Sequence, residues 1–305
     1  MSQSTRIGHL TALFTVTVWS MTFISSKVLL RSFSPVEILL IRFVIGYAAQ
    51  FVACPQRLGR TMLRQELLFA GAGLSGVSLY YLLENLALTY TMASNVGVVL
   101  ASAPFFTAIV IHLFAREEKR FNWNFLFGFL IALAGICLIS YNGSRMQFNP
   151  LGDGIAVAAA LCWAFYAVFL RKLEEYRVPT IVLTRRIFAY GLLFMLPIIP
   201  FADVRWEPAR FVAPVNWANL LFLGVCACAL CFVTWNYAVK IIGPVKCNLY
   251  IYLQPVLTVI GSAILLGEPI TVLAMAGTAL ILVGLFLSEY KPRRRAAAAN
   301  ADDVE

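Results

Sequence analysis

Apolar residues in this chain are gathered into blocks of about 20, separated by short polar stretches. That is the length at which a helix crosses a ~30 Å hydrocarbon core. The blocks predict ten spans, at approximately 7–29, 35–54, 67–90, 94–115, 122–141, 151–172, 180–200, 216–239, 246–267 and 270–289. Most are apolar on every side, as helices facing lipid or the middle of a bundle are. A β-barrel is not expected, since continuous apolar runs stand where its alternating pattern would be. Charged residues make up 13% of the 305, about half the share of a soluble protein, and the mean hydropathy is +0.81. The fold class is an all-α polytopic membrane protein. The first block is too long for a cleaved signal and no small-residue cleavage site follows it.

Basic residues set the orientation. With the N-terminus inside, sixteen Lys and Arg fall at cytoplasmic ends, among them Arg57, Arg60, Arg64, Arg116, Lys119, Arg120, Arg171 and Lys172. Five fall outside: Lys27, Arg31, Arg145, Arg205 and Arg210. The bias places both termini in the cytoplasm of a multi-pass protein of the plasma (inner) membrane. The net charge of +9 is then topology and headgroup contact, and no nucleic acid partner is implied.

The two halves match each other. An offset of 144 places Gly8 on Gly152, Trp19 on Trp163, Pro35 on Pro179 and Arg42 on Arg186. An offset of 151 places Asn85 on Asn236, Pro104 on Pro255 and Glu117 on Glu268, and one of 149 places Gly128 on Gly277 and Gly135 on Gly284. Each half carries five spans, an odd number, so the second enters the membrane from the opposite side. That is an inverted-topology repeat, which in carriers puts the substrate site near midplane between the halves. The expected units are a first five-helix repeat over 1–145, a second over 146–290, and a disordered cytoplasmic tail over 291–305. Pro104 and Pro255, near the centres of the fourth and ninth spans, each remove an amide donor, and a helix kink at a cavity is the functional reading. The glycines seven apart allow close helix contact, either within the chain or in a homodimer.

Chemistry-bearing clusters are scarce. Cys226, Cys228 and Cys231 in "CACALC" read as small packing residues, and with no His nearby no metal site is expected. There is no phosphate-binding loop, so direct ATP drive is unsupported and no cofactor is implied. Two histidines, His9 and His112, and scattered acids give little for a membrane-embedded lipid-modifying enzyme to work with. That enzyme and a channel or scaffold are the alternatives to a carrier.

By depth, the middle of the bundle receives Trp19, Arg42, Tyr80, Tyr81 and Glu84 from the first half. It receives Trp163, Tyr166, Arg186, Tyr250, Tyr252 and Gln254 from the second. Tyr and Trp also serve packing and interfaces, but Tyr250 and Gln254, four apart, share a face just before Pro255. A basic residue at a span's centre is disfavoured by about 3 kcal/mol on insertion scales, so it pairs or faces a cavity. Arg186, in the inner half of its span, can snorkel to the cytoplasm, whereas Arg42 lies deeper. His112 reads as a boundary residue.

The chain resembles the EamA-type members of the drug/metabolite transporter superfamily across roughly residues 7–290. The resemblance rests on "TVTVWSMTFISSK", "SPVEILLIRF", "ENLALTYTMASNVGVVLASAPFFTAI" ending near "REEK", and the second-half partner "WNYAVKIIGPVKCNLYIYLQPVLTVIGSAILLGEPIT". It implies a ten-helix plasma-membrane permease with a central cavity, exporting or importing a small metabolite or drug by alternating access. Glu84 is a departure, and no family role is carried over to it.

A lone acid in "YYLLENLAL" must be paired, protonated or beside water. Glu84 and Arg42 fall at similar depth on consecutive spans and can meet if those spans lie side by side. If they pair, the arginine favours the charged carboxylate and burial the neutral one, and an acid so balanced is a candidate for proton coupling. The competing reading is a permanent ion pair that locks the two spans together.

Overall fold

A computed structural model describes residues 3–56, 58–59, 61–115, 123–140, 150–202, 204–205, 207–242, 250–251 and 253–289. Glu117, the connector around 141–149, Tyr252 and the tail from 291 lie outside the described residues, as do the side chains of Pro104, His112 and Asn236. Among the described residues the structure is helical, with no strand.

The helices are α1 Gln3–Leu29, α2 Pro35–Ala53, α3 Leu63–Tyr90, α4 Ala93–Leu100, α5 Ala103–Ala115 and α6 Trp123–Ser140. They continue with α7 Pro150–Glu174, α8 Thr180–Phe201, α9 over 214–242, α10 Gln254–Leu266 and α11 Val272–Glu289. A single turn, Ala209–Val212, precedes α9. By length and composition six of the described helices can cross a membrane: α1, α2, α3, α7, α8 and α9. Shorter apolar helices follow each group of three. Large apolar side chains such as Val52, Phe201, Ile264, Leu265 and Phe286 point outward, which suits lipid rather than water. The chain is a multi-pass membrane protein.

Local sequence explains the helix ends. Ser34 accepts the Glu37 amide, Glu37 accepts the Ser34 amide at 2.7 Å, and Pro35 opens α2. This capping box satisfies two orphan donors, and proline at N1 has none to lose. Glu37 does more than cap. Arg210, from the turn before α9, reaches both its oxygens at 3.0 Å, joining the start of α2 to the second half. α10 ends at Gly267 in the left-handed conformation (φ 69°), which glycine adopts without steric penalty.

The prolines sit at interruptions rather than inside continuous helices. The ladder breaks at Ala101 and Ser102, just ahead of Pro104, and resumes as α5. Ser102 Oγ bonds back to the Val99 carbonyl at 2.6 Å. Pro255 lies in the first turn of α10, where a missing N–H leaves no bond unmade.

Two long helices widen in their interiors to π geometry: α3 over Leu74–Leu79 and α9 over Phe222–Leu230. The first packs against α7 and α8, the second against α1 and α2. α6 and α11 run in direct backbone contact. A Cβ on Gly135 would stand 2.6 Å from the Gly277 carbonyl oxygen, and one on Gly284 would strike the Gly128 carbonyl oxygen. The glycine stripes therefore pack against each other within one chain.

Candidate functional site

Arg42, in the middle of α2, and Glu84, one turn into the last α-helical segment of α3, face each other. Arg42 Nη1 lies 3.9 Å from Glu84 Oε1, with side-chain exposures of 1% and 2%. At that separation the two are an ion pair but not hydrogen-bonded. Arg42 Nε and Nη1 and Glu84 Oε1 make no hydrogen bond in the structure. The guanidinium lies over the Tyr81 ring, 4.4 Å from its centroid, and 5.5 Å from that of Phe43. The Tyr80 hydroxyl is the polar neighbour of the carboxylate, and the Cys228 thiol that of the guanidinium.

The π segment of α9 brings Cys228 here. Side chains take up its carbonyls: Gln50 Nε2 donates to the Cys228 carbonyl at 3.1 Å, and Trp19 Nε1 to the Ala227 carbonyl at 3.4 Å. Groups freed from a regular ladder need such partners in a medium without water. The α3 segment is held by Ser78 Oγ, which donates to the Gly191 carbonyl of α8 at 2.8 Å.

A chain of rings passes through the pair. Tyr166 and Trp163 of α7 meet at 4.9 Å between centroids, Trp163 and Tyr80 at 5.0 Å, Tyr80 and Tyr81 at 4.7 Å, and Tyr81 and Phe43 at 5.0 Å. It continues through Phe43–Phe188 at 4.8 Å, Phe188–Phe232 at 5.7 Å, Phe232–Trp19 at 6.0 Å and Trp19–Trp235 at 5.3 Å. Offset and edge-on contacts of this kind are favourable beyond their area. Thus the structure collects Trp19, Arg42, Tyr80, Tyr81, Glu84, Trp163 and Tyr166 into one contiguous cluster.

Tyr250 packs, like Trp235, against Ala12, Ala238 and Ile242. The Tyr250 hydroxyl pairs with His9 Nδ1 at 2.8 Å, near the start of α1, and Gln254 opens α10. Arg186 reaches Glu66 at 2.9 Å, and Tyr190 joins them. Its neighbour Arg185 is the more buried of the two and donates to the Cys54 and Gln56 carbonyls after α2. Sequence reasoning missed Phe43, Phe188, Phe232, Trp235 and Cys228. Phe43, directly after Arg42, and Phe188, two residues after Arg186, carried a usable signal. No group of three possible metal ligands occurs among the described residues.

A second polar feature lies where α1, α3 and α10 end. Lys27 donates to the Thr91 carbonyl at 2.6 Å and to that of Leu88. Glu268 accepts the Ala93 amide at 2.9 Å and the Ser94 amide and hydroxyl at 3.1 and 2.7 Å. Together they fix the link between α3 and α4. Lys27, Arg31, Thr89 and Glu268 edge a cleft of about 390 Å³ there.

Comparison with known proteins agrees with this architecture. A solved crystal structure covering 95% of this chain and 97% of its own superposes with a TM-score of 0.63 at 23% identity, a likeness of fold. An "Uncharacterized transporter" of Archaeoglobus fulgidus is 27% identical over 289 residues, 93% of this chain and 97% of its own length. A "Probable terminal-alkyne amino-acid exporter" of Streptantibioticus cattleyicolor is 26% identical, covering 93% of this chain and 94% of that protein. The model of the EamA-like transporter family matches twice, over residues 6–141 and 150–290. The chain belongs to the EamA-like transporter family and is a membrane transporter, not an enzyme.

Proposed function

We propose that this protein is a secondary carrier of a small organic metabolite, working by alternating access between two inverted five-helix halves, with Glu84 and Arg42 at the centre of its transport site. α4 and α5 form one broken span in this reading, giving ten in all, and both termini lie in the cytoplasm of the plasma membrane. The direction is export, on the strength of the exporter named among its relatives.

The observation that carries the site is the buried, loosely held Arg42–Glu84 pair itself. A locking pair gains most from short hydrogen bonds on every donor and acceptor. This one leaves three of its atoms free of hydrogen bonds, in the state a partner-exchanging site needs. A carboxylate in this position can hand its partner to a substrate and take a proton in its place.

The repeat reading is supported by matched packing. Gly46 of α2 abuts Cys228 in one π segment, and Gly191 of α8 abuts Val77 in the other. A Cβ on Gly224 would stand 3.1 Å from the Arg42 carbonyl oxygen, and one on Gly73 2.8 Å from that of Ile187. Each half thus repeats the other's helix contact, and the family model matches each half separately. Rocking one half against the other about these π segments is the motion inferred, since such segments recur at functional sites.

Proteoliposomes loaded with an isotope-labelled metabolite extract and placed in unlabelled extract test the carrier. Saturable counterflow of at least one solute, accelerated by an imposed proton gradient, is expected. Flux that rises linearly with concentration would indicate a channel instead.

A further inference from the structure

We infer that the cleft where α1, α3 and α10 end is a lipid site, which takes a phospholipid headgroup bearing both a phosphate and a primary ammonium, as phosphoethanolamine does. None of its lining residues belongs to the Arg42–Glu84 cluster.

The cleft has room for a headgroup and lies at the right depth. Its volume of about 390 Å³ is in the range of pockets that hold small ligands. Its polar edge is Lys27, Arg31, Thr89 and Glu268, and three leucines complete it. The apolar runs of α1 and α3 stop here, where hydrocarbon gives way to headgroups. Ile264 and Leu265, directly before the Leu266 of the lining, are exposed. They offer acyl chains an apolar face beside the cleft.

The charged side chains keep bonding positions to spare. An ammonium has three donors, and Lys27 spends two on the Leu88 and Thr91 carbonyls. Arg31 stands in the turn after α1, its amide held by the Val28 carbonyl at 3.2 Å. Its guanidinium makes no hydrogen bond or ion pair among the described residues. A carboxylate has about four acceptor positions. Glu268 fills three with the Ala93 amide and the amide and hydroxyl of Ser94, which leaves one on Oε1. Lys27 is within electrostatic range of both Glu268 and Arg31, so two cations and one anion front a single cleft.

A phosphodiester accepts charge-assisted bonds from Lys27 and Arg31, as basic pockets between membrane helices do with headgroups. An ammonium two carbons away then donates to the open position on Glu268. A glycerol headgroup meets the same cations but brings its negative charge towards Glu268 with no cation to offset it. A choline headgroup carries the positive charge but has no N–H to donate. Lys27 and Glu268 also hold the link between α3 and α4, so a headgroup bound to both stabilises the folded protein by mass action.

The test titrates delipidated full-length protein in detergent with dioleoyl lipids bearing ethanolamine, choline or glycerol headgroups. Native mass spectrometry counts bound lipid, and the thermal midpoint is followed in parallel. The ethanolamine lipid should bind at least about fivefold tighter than either other, the worth of one partly exposed charge pair, and raise the midpoint most. Arg31→Ala should weaken its binding about fivefold and leave the midpoint of the lipid-free protein where it was. Glu268→Gln should still bind the glycerol lipid but lose the preference for ethanolamine. Free sn-glycero-3-phosphoethanolamine, which lacks the acyl chains, should bind at least about tenfold more weakly than the lipid. Equal affinity of the wild-type protein for the three headgroups overturns the inference, as does unchanged ethanolamine-lipid binding in Arg31→Ala. Binding of the free headgroup as tightly as the lipid gives the cleft to a soluble ligand and overturns the lipid assignment.

Discussion

Glu268, one residue beyond the glycine that ends α10, accepts both the amide and the hydroxyl of Ser94 in the first turn of α4, at 3.1 and 2.7 Å. It serves as the N-cap that α4 lacks, since Met92 has no side-chain acceptor to offer. A charged acceptor at a helix start also complements the positive end of the macrodipole. Glu268→Ala should therefore destabilise the α3–α4 link by about 1–2 kcal/mol. Hydrogen exchange at Ala93 and Ser94 should rise about fivefold or more, with Ser94→Ala giving a smaller rise. Unchanged protection in Glu268→Ala would remove the cap from the account.

The contact between α6 and α11 makes a prediction about stability and assembly. Gly135→Leu and Gly284→Leu should each lower the thermal midpoint clearly, because the incoming side chain meets a carbonyl of the facing helix and overpacking costs about 1–3 kcal/mol. Size-exclusion with light scattering should show no change in oligomeric state among the molecules that fold. A dimer-to-monomer shift at unchanged stability would mean that the stripes join two copies.

The interruptions at Ser102 and Pro255 should matter to transport more than to folding. Pro104→Ala and Pro255→Ala together should remove the ring that keeps each helix from extending back across the turn before it. Counterflow is expected to fall about tenfold or more at equal membrane abundance. Wild-type flux in the double variant would reduce the prolines to packing features.

Orientation is tested by labelling. In a background freed of accessible cysteines, Cys introduced at Ser144 and Phe211 should react with an impermeant maleimide on intact cells, while Cys at Arg60 and Ala298 should not. Reaction at Ala298 would overturn the topology and the inverted repeat with it.

Much of the site was legible because depth is written in the sequence. Glu84 and Arg42 fall at matching levels on consecutive spans, and they do meet. Side-to-side adjacency is not written there. A spacing of four would put Tyr250 and Gln254 on one face of a single helix, yet α10 opens only at Gln254 and Tyr250 turns to His9, a neighbour about 240 positions away. Arg185 and Arg186 look alike in sequence, but one is drawn into carbonyls at the end of α2 and the other onto Glu66. The π segments were invisible for a related reason. "LSGVSL" and "FLGVCACAL" carry no local signature of a wider ladder, which goes with their close packing on a facing helix.

Whether Glu84 titrates during turnover is decided by one comparison, the accumulation of substrate under an imposed proton gradient in wild type and Glu84→Gln. The substitution keeps the shape and hydrogen-bonding capacity of the side chain and removes its proton exchange. Loss of gradient-driven accumulation with retained substrate exchange is the expected result. Accumulation by Glu84→Gln with the wild-type pH dependence would contradict it and leave the Arg42–Glu84 pair as a lock between α2 and α3.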